Sequence, residues 1–346
     1  MKILVYGANG YTGRLIVNEL KSSSFETIVA GRSLVKLEAH FNDTHEMRCF
    51  ELTDDFNEQL KDIDLVVHCA GPFSKTALPM AEACLATHTH YIDITGEIAV
   101  FEALKKLDHR AKEQGIVIMP GAGFDVVPTD CLSLALKKAL PKARRLELAF
   151  YPIGGKASPG TTKTILESAG MDVNYRIDGA INSERSGLER RSHTIDGKVL
   201  HSAGISWGDV STAYTTTGIP NIRVFVGMNP KTIKIYRKVH LFKWLFQLTP
   251  VQKFIKKRIE RSIFGPSIDE MKSSKTYVIA KVWDDVSSVE KALVTPNGYD
   301  LTRKTAVEIA RRIIDGKAPA GYQTPALAFG SEFILQFEGV QEMSLD

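Results

Sequence analysis

Three glycines, at positions 7, 10 and 13, raise the first chemical question of this chain. The stretch MKILVYGANGYTGRLIVNEL passes from an apolar strand through G-x-x-G-x-x-G directly into a helix expected over 11–21. Glycine at those points permits a tight turn, a close approach of backbone to a pyrophosphate, and tight packing of helix on sheet. The N–H groups of the helix N-terminus then face the phosphates. Gly7, Asn9, Gly10, Tyr11, Thr12 and Gly13 are the expected phosphate-binding set. The spacing departs from the commoner G-x-G-x-x-G, and a purely structural turn is the alternative. The tip of the second strand (27–30) sets the choice of dinucleotide. NAD sites usually carry Asp or Glu there for the ribose 2′-hydroxyl, whereas this chain has Arg32, Ser33 and nearby Lys36. A guanidinium fork matches a phosphate dianion with two parallel hydrogen bonds, so NADP(H) is expected and NAD(H) is the alternative. A solvated loop cation is the plain reading of Arg32.

Further candidates lie in loops that follow later strands. Ala70-Gly71-Pro72-Phe73 forms a rigid turn, and Thr95-Gly96-Glu97 follows a strand ending at Asp93. Glu97 is expected to cap the helix starting near 98, while Asp93 is open between an active-site and a structural role. In PGAGFDVVPTD, Gly121 and Gly123 free the backbone, and Asp125 precedes the first turn of a helix carrying Pro128. Asp130, early in that helix, reads as a dipole partner, which leaves Asp125 the better active-site candidate. A proton donor to accompany hydride transfer is sought in Tyr214, then in Lys163 at a loop-to-helix start; ordinary packing and a solvated face are their plain readings. His88 and His90 have no partner group at ligand spacing, so no metal is expected. H-E-x-x-H and P-loop motifs are absent from the sequence.

These loops need elements to position them. Apolar runs at 3–6, 27–30, 65–70, 90–94 and 116–120 alternate with helix-period segments, clearest at 76–87 and 98–113. Continuous apolarity implies strands buried on both faces, so the fold class expected is α/β, a Rossmann-type doubly wound parallel sheet, plus a second mixed α+β substrate domain. From about Arg144 the runs alternate instead, as in RRLELAFY, NIRVFVGM and TYVIAKVW, which suits a sheet with one open face. Asn297-Gly298 is expected to turn between two short strands, and 301–317 to form a helix stopped by Gly316. The expected boundaries are 1–140 for dinucleotide binding and 141–300 for substrate and dimerisation. A segment at 301–346 is expected to return to the first domain.

A length of 346 residues suits two domains, and a net charge of +4 is too weak to call for nucleic acid. Four cysteines without a C-x-x-C pair read as reduced thiols of a cytoplasmic protein, and no run is apolar enough to span a membrane.

Taken in order, GANGYTGR, AGRS, CAGPF, HYIDITGE and GAGFDVVPTD resemble the nucleotide-binding half of the saccharopine dehydrogenase-like oxidoreductases. SPGTTKTILES, WGDVSTAYTTTGIPNI and GYQTPALAFG resemble later parts of the same group, in the branch with trans-acting enoyl reductases. The resemblance implies that Ala70, Gly71, Pro72 and Phe73, with Gly121 and Gly123, line an NADP(H) site. It also implies hydride transfer at an activated double bond of a small or acyl substrate, enoyl reduction first and a C=N bond second. A non-catalytic NADP(H) sensor is the competing class, because a phosphate-binding turn looks the same in both.

One segment stands apart. Residues 230–264 carry ten Lys and Arg residues interleaved with Trp244, Phe242, Phe246 and other apolar side chains, and Pro250 should divide the segment into two helices. The readings are an amphipathic helix packed on the second domain or across a homodimer contact, a peripheral membrane or lipid-surface contact, or a lid over an acyl substrate.

Overall fold

A computed structural model of the chain describes residues 1–42, 44–53, 55–162, 171–239 and 265–345. It divides into two compact units, Met1–Val127 with Gly298–Phe333 and Pro128–Asn297 with Ile334–Asp346. The first unit opens with β1 (Lys2–Tyr6), α1 (Tyr11–Leu20), β2 (Glu26–Gly31), α2 (Leu34–Phe41), β3 (Met47–Cys49) and β4 (Leu65–His68). It continues with α3 (Phe73–Ala86), β5 (His90–Asp93), α4 (Ile98–Lys105), α5 (Asp108–Glu113) and β6 (Val117–Met119). The strands lie in the order β3-β2-β1-β4-β5-β6, all parallel. Order reverses between β1 and β4, and that reversal is where a doubly wound sheet opens a crevice for ligand.

Burial on both faces explains the unbroken apolar runs. Leu4, Tyr6, Ile28, Ala30 and Val66 pack with Met80, Leu85 and Leu104 in one core cluster, while Ile3, Val5 and Val67, one residue out of phase, are equally buried. The helix expected over 98–113 is two, α4 and α5; across the break Leu104, Leu107 and Ala111 keep to the same core. His90 is a structural group here: its Nδ1 accepts the Val117 N–H at 3.0 Å.

In the second unit α6 (Val127–Ala139) leads to β7 (Arg145–Ile153), β8 (Val173–Ile177), β9 (Ala180–Glu184), β10 (Arg190–Ile195) and β11 (Lys198–Gly204). Then come α7 (Asp209–Thr217), β12 (Asn221–Gly227), α8 (Pro230–Val239), α9 (Ile268–Ser273), β13 (Lys275–Trp283) and β14 (Ser288–Pro296). β7 and β12 pair parallel and the other pairings are antiparallel, which makes the sheet mixed.

The chain then returns to the first unit through α10 (Gly298–Ile314), β15 (Gly321–Tyr322) and α11 (Pro325–Phe329). Gly298 therefore opens a helix and does not sit in a turn between strands. It faces the Phe124 ring, which a Cβ at 298 would approach to 3.2 Å. α10 packs along α1 and is tied to it by the Arg303–Glu19 ion pair. It ends as expected before Gly316, at φ +70°. β15 adds a seventh parallel strand beside β6. The return does not run to the C-terminus: β16 (Gln341–Met343) pairs with β14, so 334–346 belong with the second unit. The first boundary likewise falls at 127 and not at 140, because α6 groups with the second unit.

Candidate functional site

The turn after β1 is built as a cradle. The Gly7 N–H donates to Ala30 O at 2.8 Å and the Gly10 N–H to Gly7 O at 2.9 Å, closing the turn. Gly7 sits at φ +83°, where a Cβ would lie 2.8 Å from Ala70 N, so the turns after β1 and β4 touch at the sheet's point of reversal. A Cβ on Gly13 would overlap the Gly7 carbonyl oxygen and reach 2.9 Å from Ala8 Cα. Gly10 is the N-cap of α1 and no side chain caps that helix. The Thr12 and Gly13 N–H groups lie in the first turn, where the helix itself offers no acceptor. Tyr11 meets Tyr299 edge to face at 5.1 Å, and Asn9 Oδ1 lies against Gly31 at the end of β2. An uncapped helix start behind backbone that tolerates no side chain fits a pyrophosphate.

Arg32 is exposed and has no ion-pair partner among the described residues. Ser33 is the N-cap residue of α2, yet its hydroxyl makes no capping bond. Both residues stand just beyond the carboxyl end of β2. Arg32 also acts on the protein: burial pushes the Tyr6 phenol up to about 12, and the guanidinium charge opposes that rise.

The β4–α3 turn is held from two sides. Glu97 does not cap α4, the helix it precedes; its carboxylate accepts from Phe73 N and Ser74 N, each at 3.0 Å, and so caps α3. The Thr76 hydroxyl donates to Ala70 O at 2.7 Å. Having one proton, it takes the 2.9 Å contact to His68 Nε2 as acceptor, which makes that nitrogen the protonated one. Burial lowers the His68 pKa to about 3, so the ring is neutral. Ala70, Gly71, Pro72 and Phe73 are fixed by these bonds before any ligand arrives.

At the end of β5, buried Asp93 accepts from Thr95 N and Gly121 N, both at 2.9 Å, and from Tyr91 OH at 2.7 Å. Burial raises its pKa to about 6 against the pull of those donors. Its bonds tie β5 to the loop after β6, which is a structural role. In that loop Gly121 has φ +75° and is pressed on Val126 and Phe101, while Gly123 abuts Thr302. Asp125 is half-buried with its carboxyl against Gly96, and desolvation pushes it up to about 7. It is therefore partly protonated at neutral pH.

The phosphate turn, Arg32, the 70–73 turn and Asp125 all follow the carboxyl ends of parallel strands in one unit. Tyr214 belongs to the other unit, on α7, with the Arg176 guanidinium 4.2 Å above its ring and its hydroxyl beside Gly179. Asp130, also in that unit, is buried and accepts from Thr216 Oγ1 at 2.5 Å. Lys163 and most of 230–264 lie outside the described residues. Among the described residues no group of three or more His, Cys, Asp or Glu side chains could hold a metal ion. Glu97, Thr76 and Thr302 as partners of these loops were not foreseen from the sequence; no local signal marks them.

This architecture defines a dinucleotide-binding Rossmann domain joined to a mixed-sheet unit. Residues 3–119, about a third of the chain, match the saccharopine dehydrogenase NADP binding domain. A lipid droplet localized protein of Caenorhabditis elegans is 29% identical over 186 residues, 47% of this chain and 44% of that protein. A saccharopine dehydrogenase-like oxidoreductase of Rattus norvegicus is 29% identical over 152 residues, 37% of this chain and 35% of that protein. A Mycobacterium tuberculosis protein named as a trans-acting enoyl reductase is 30% identical over 181 residues, 48% of this chain and 43% of that protein. The chain thus spans less than half the length of these relatives. The solved saccharopine dehydrogenase of Saccharomyces cerevisiae has the same fold, with a TM-score of 0.69 at 12% identity over 99% of this chain and 100% of that one.

Proposed function

We propose that the chain is an NADP(H)-dependent oxidoreductase acting on an activated double bond of a small or acyl substrate, an enoyl group first. The observation that carries this reading is the placement, beyond the carboxyl ends of the strands of one sheet, of an uncapped glycine cradle, an exposed Arg32 and the Asp125 carboxyl against Gly96, where desolvation pushes its pKa up. When bound, the dinucleotide supplies or accepts the hydride. Gly7, Gly10 and Gly13 admit its pyrophosphate, Arg32 and Ser33 hold its 2′-phosphate, and the braced 70–73 turn shapes the far end of the site. Reduction places a hydride on one atom of the double bond and a proton on its neighbour. Asp125 is a group of this unit whose raised proton affinity suits that transfer near neutral pH, whereas Asp93 is taken up by its internal hydrogen bonds. With a C=N substrate the same proton would go to nitrogen. The names of the rat and mycobacterial relatives support this class of reaction. The test is NADPH oxidation, followed by absorbance, over enoyl thioesters and preformed imines. Turnover on either names the bond, whereas tight NADPH binding with no turnover would overturn the enzymatic reading in favour of a cofactor sensor.

The reading extends to a lipid surface as the place of work. α8 turns Lys231, Lys234, Ile235 and Lys238 to solvent and buries Ile233, and the name of the nematode relative points the same way. Basic side chains near an anionic surface contribute about 1 kcal/mol each and are screened by salt. The protein is expected to co-sediment with phosphatidylserine-containing vesicles at low salt and to be released at high salt. Failure to sediment at low salt would remove this contact.

A further inference from the structure

The loop that carries Asp125 is held along its backbone by α10, a helix far from it in sequence. Thr302 Oγ1, on α10, accepts the Phe124 N–H at 2.9 Å across 178 residues of sequence. One turn further, Thr305 Oγ1 donates to Ala122 O at 2.8 Å. Thr302 also closes the space above Gly123, where a Cβ would come within 2.8 Å of its Cγ2. At the start of the same helix Gly298 seats the Phe124 ring, and Tyr299 meets Tyr11 of the phosphate turn. Both threonines are buried, and a β-branched hydroxyl residue in a buried helix face is a poor helix former with a polar group to satisfy. Leucine or alanine would serve the helix better. The bonds to 122 and 124 are what these residues gain in return.

We infer that Thr302 is a positioning residue: its bond to Phe124 N and its contact with Gly123 fix the backbone that presents the Asp125 carboxyl to the reacting atoms. The inference rests on the reaction assigned above, so its test separates the two. Thr302→Val keeps the shape and removes the acceptor, and Thr302→Ser keeps the acceptor. In Thr302→Val the Phe124 amide, followed by NMR hydrogen exchange, is expected to exchange about tenfold faster, the scale of one net hydrogen bond. On the substrate found by the NADPH-oxidation panel, kcat is expected to fall about tenfold or more through misplacement of the carboxyl, with NADPH affinity unchanged; Thr302→Ser restores both readouts. Unchanged Phe124 exchange in Thr302→Val would overturn the inference. So would faster exchange with unaltered kcat, or a fall in kcat matched by an equal loss of NADPH affinity. If the wild type turns over nothing, the enzymatic assignment fails, and Phe124 exchange still decides whether Thr302 holds the loop.

Discussion

Gly13→Ala is expected to abolish NADPH binding and to lower stability at once. The added methyl would overlap the Gly7 carbonyl oxygen and crowd Ala8, and both are backbone groups that no rotamer change can move aside. Overpacking of this kind costs up to about 3 kcal/mol, which for a unit of this size is a loss of roughly 6–12 °C in Tm. Relief would come from lifting α1 away from the turn, which opens the cradle that Gly7 and Gly10 close. The dissociation constant for NADPH is expected to rise at least about 100-fold, through the loss of several phosphate contacts. Thermal unfolding and fluorescence titration check the two parts. A Gly13→Ala protein that binds NADPH like the wild type would mean that the phosphates lie elsewhere.

Asp125→Asn has the second large effect, and its signature is a pH profile. Burial raises the Asp125 carboxyl to about 7. As proton donor it must be protonated, so reductive turnover is expected to be high below pH 7 and to fall as the pH rises beyond it. In Asp125→Asn that limb should vanish, and the rate should drop about 10²–10⁴-fold, the usual worth of a placed acid. Stability has a fixed sign as well. The folded state binds this proton more tightly than the unfolded chain, so Asp125 costs stability as pH rises from about 4 to 7. Relative to wild type, Asp125→Asn should therefore be more stable at pH 8 than at pH 4. Asp93, raised to about 6, contributes in the same direction in both proteins and cancels in the comparison. A variant that keeps the limb and most of its rate would assign the proton to another group.

How much of this was legible in the sequence follows from how local each signal is. The glycines at 7, 10 and 13 lie inside one strand–turn–helix unit, so the three-residue spacing and the flanking apolar runs were enough to place the cradle. Arg32 was readable for the same reason, one residue beyond the second strand. Glu97 was read as a helix cap and is one, but of α3 and not of α4, because sequence reveals the adjacent helix and hides the one brought near by folding. Asn297-Gly298 carried a turn signal, yet Gly298 begins α10; a small residue there is required by Phe124, 174 positions away, and no local pattern says so. The last residues, 334–346, leave the first unit because β14 has an edge for β16 to pair with, a fact of sheet order and not of composition. Thr302 was invisible on the same grounds as Glu97's true partner: its acceptor role exists only once segments 178 residues apart are packed together.

Fluorescence titration of NADPH and NADH into the wild type and Arg32→Ala tests most directly whether the chain holds NADP(H) with Arg32 on the 2′-phosphate. The wild type should bind NADPH more tightly than NADH. Arg32→Ala should lose roughly 10–100-fold in NADPH affinity, the range of a charge-assisted pair, and leave NADH almost unchanged. Equal losses for the two dinucleotides, or a wild type that binds neither, would contradict it.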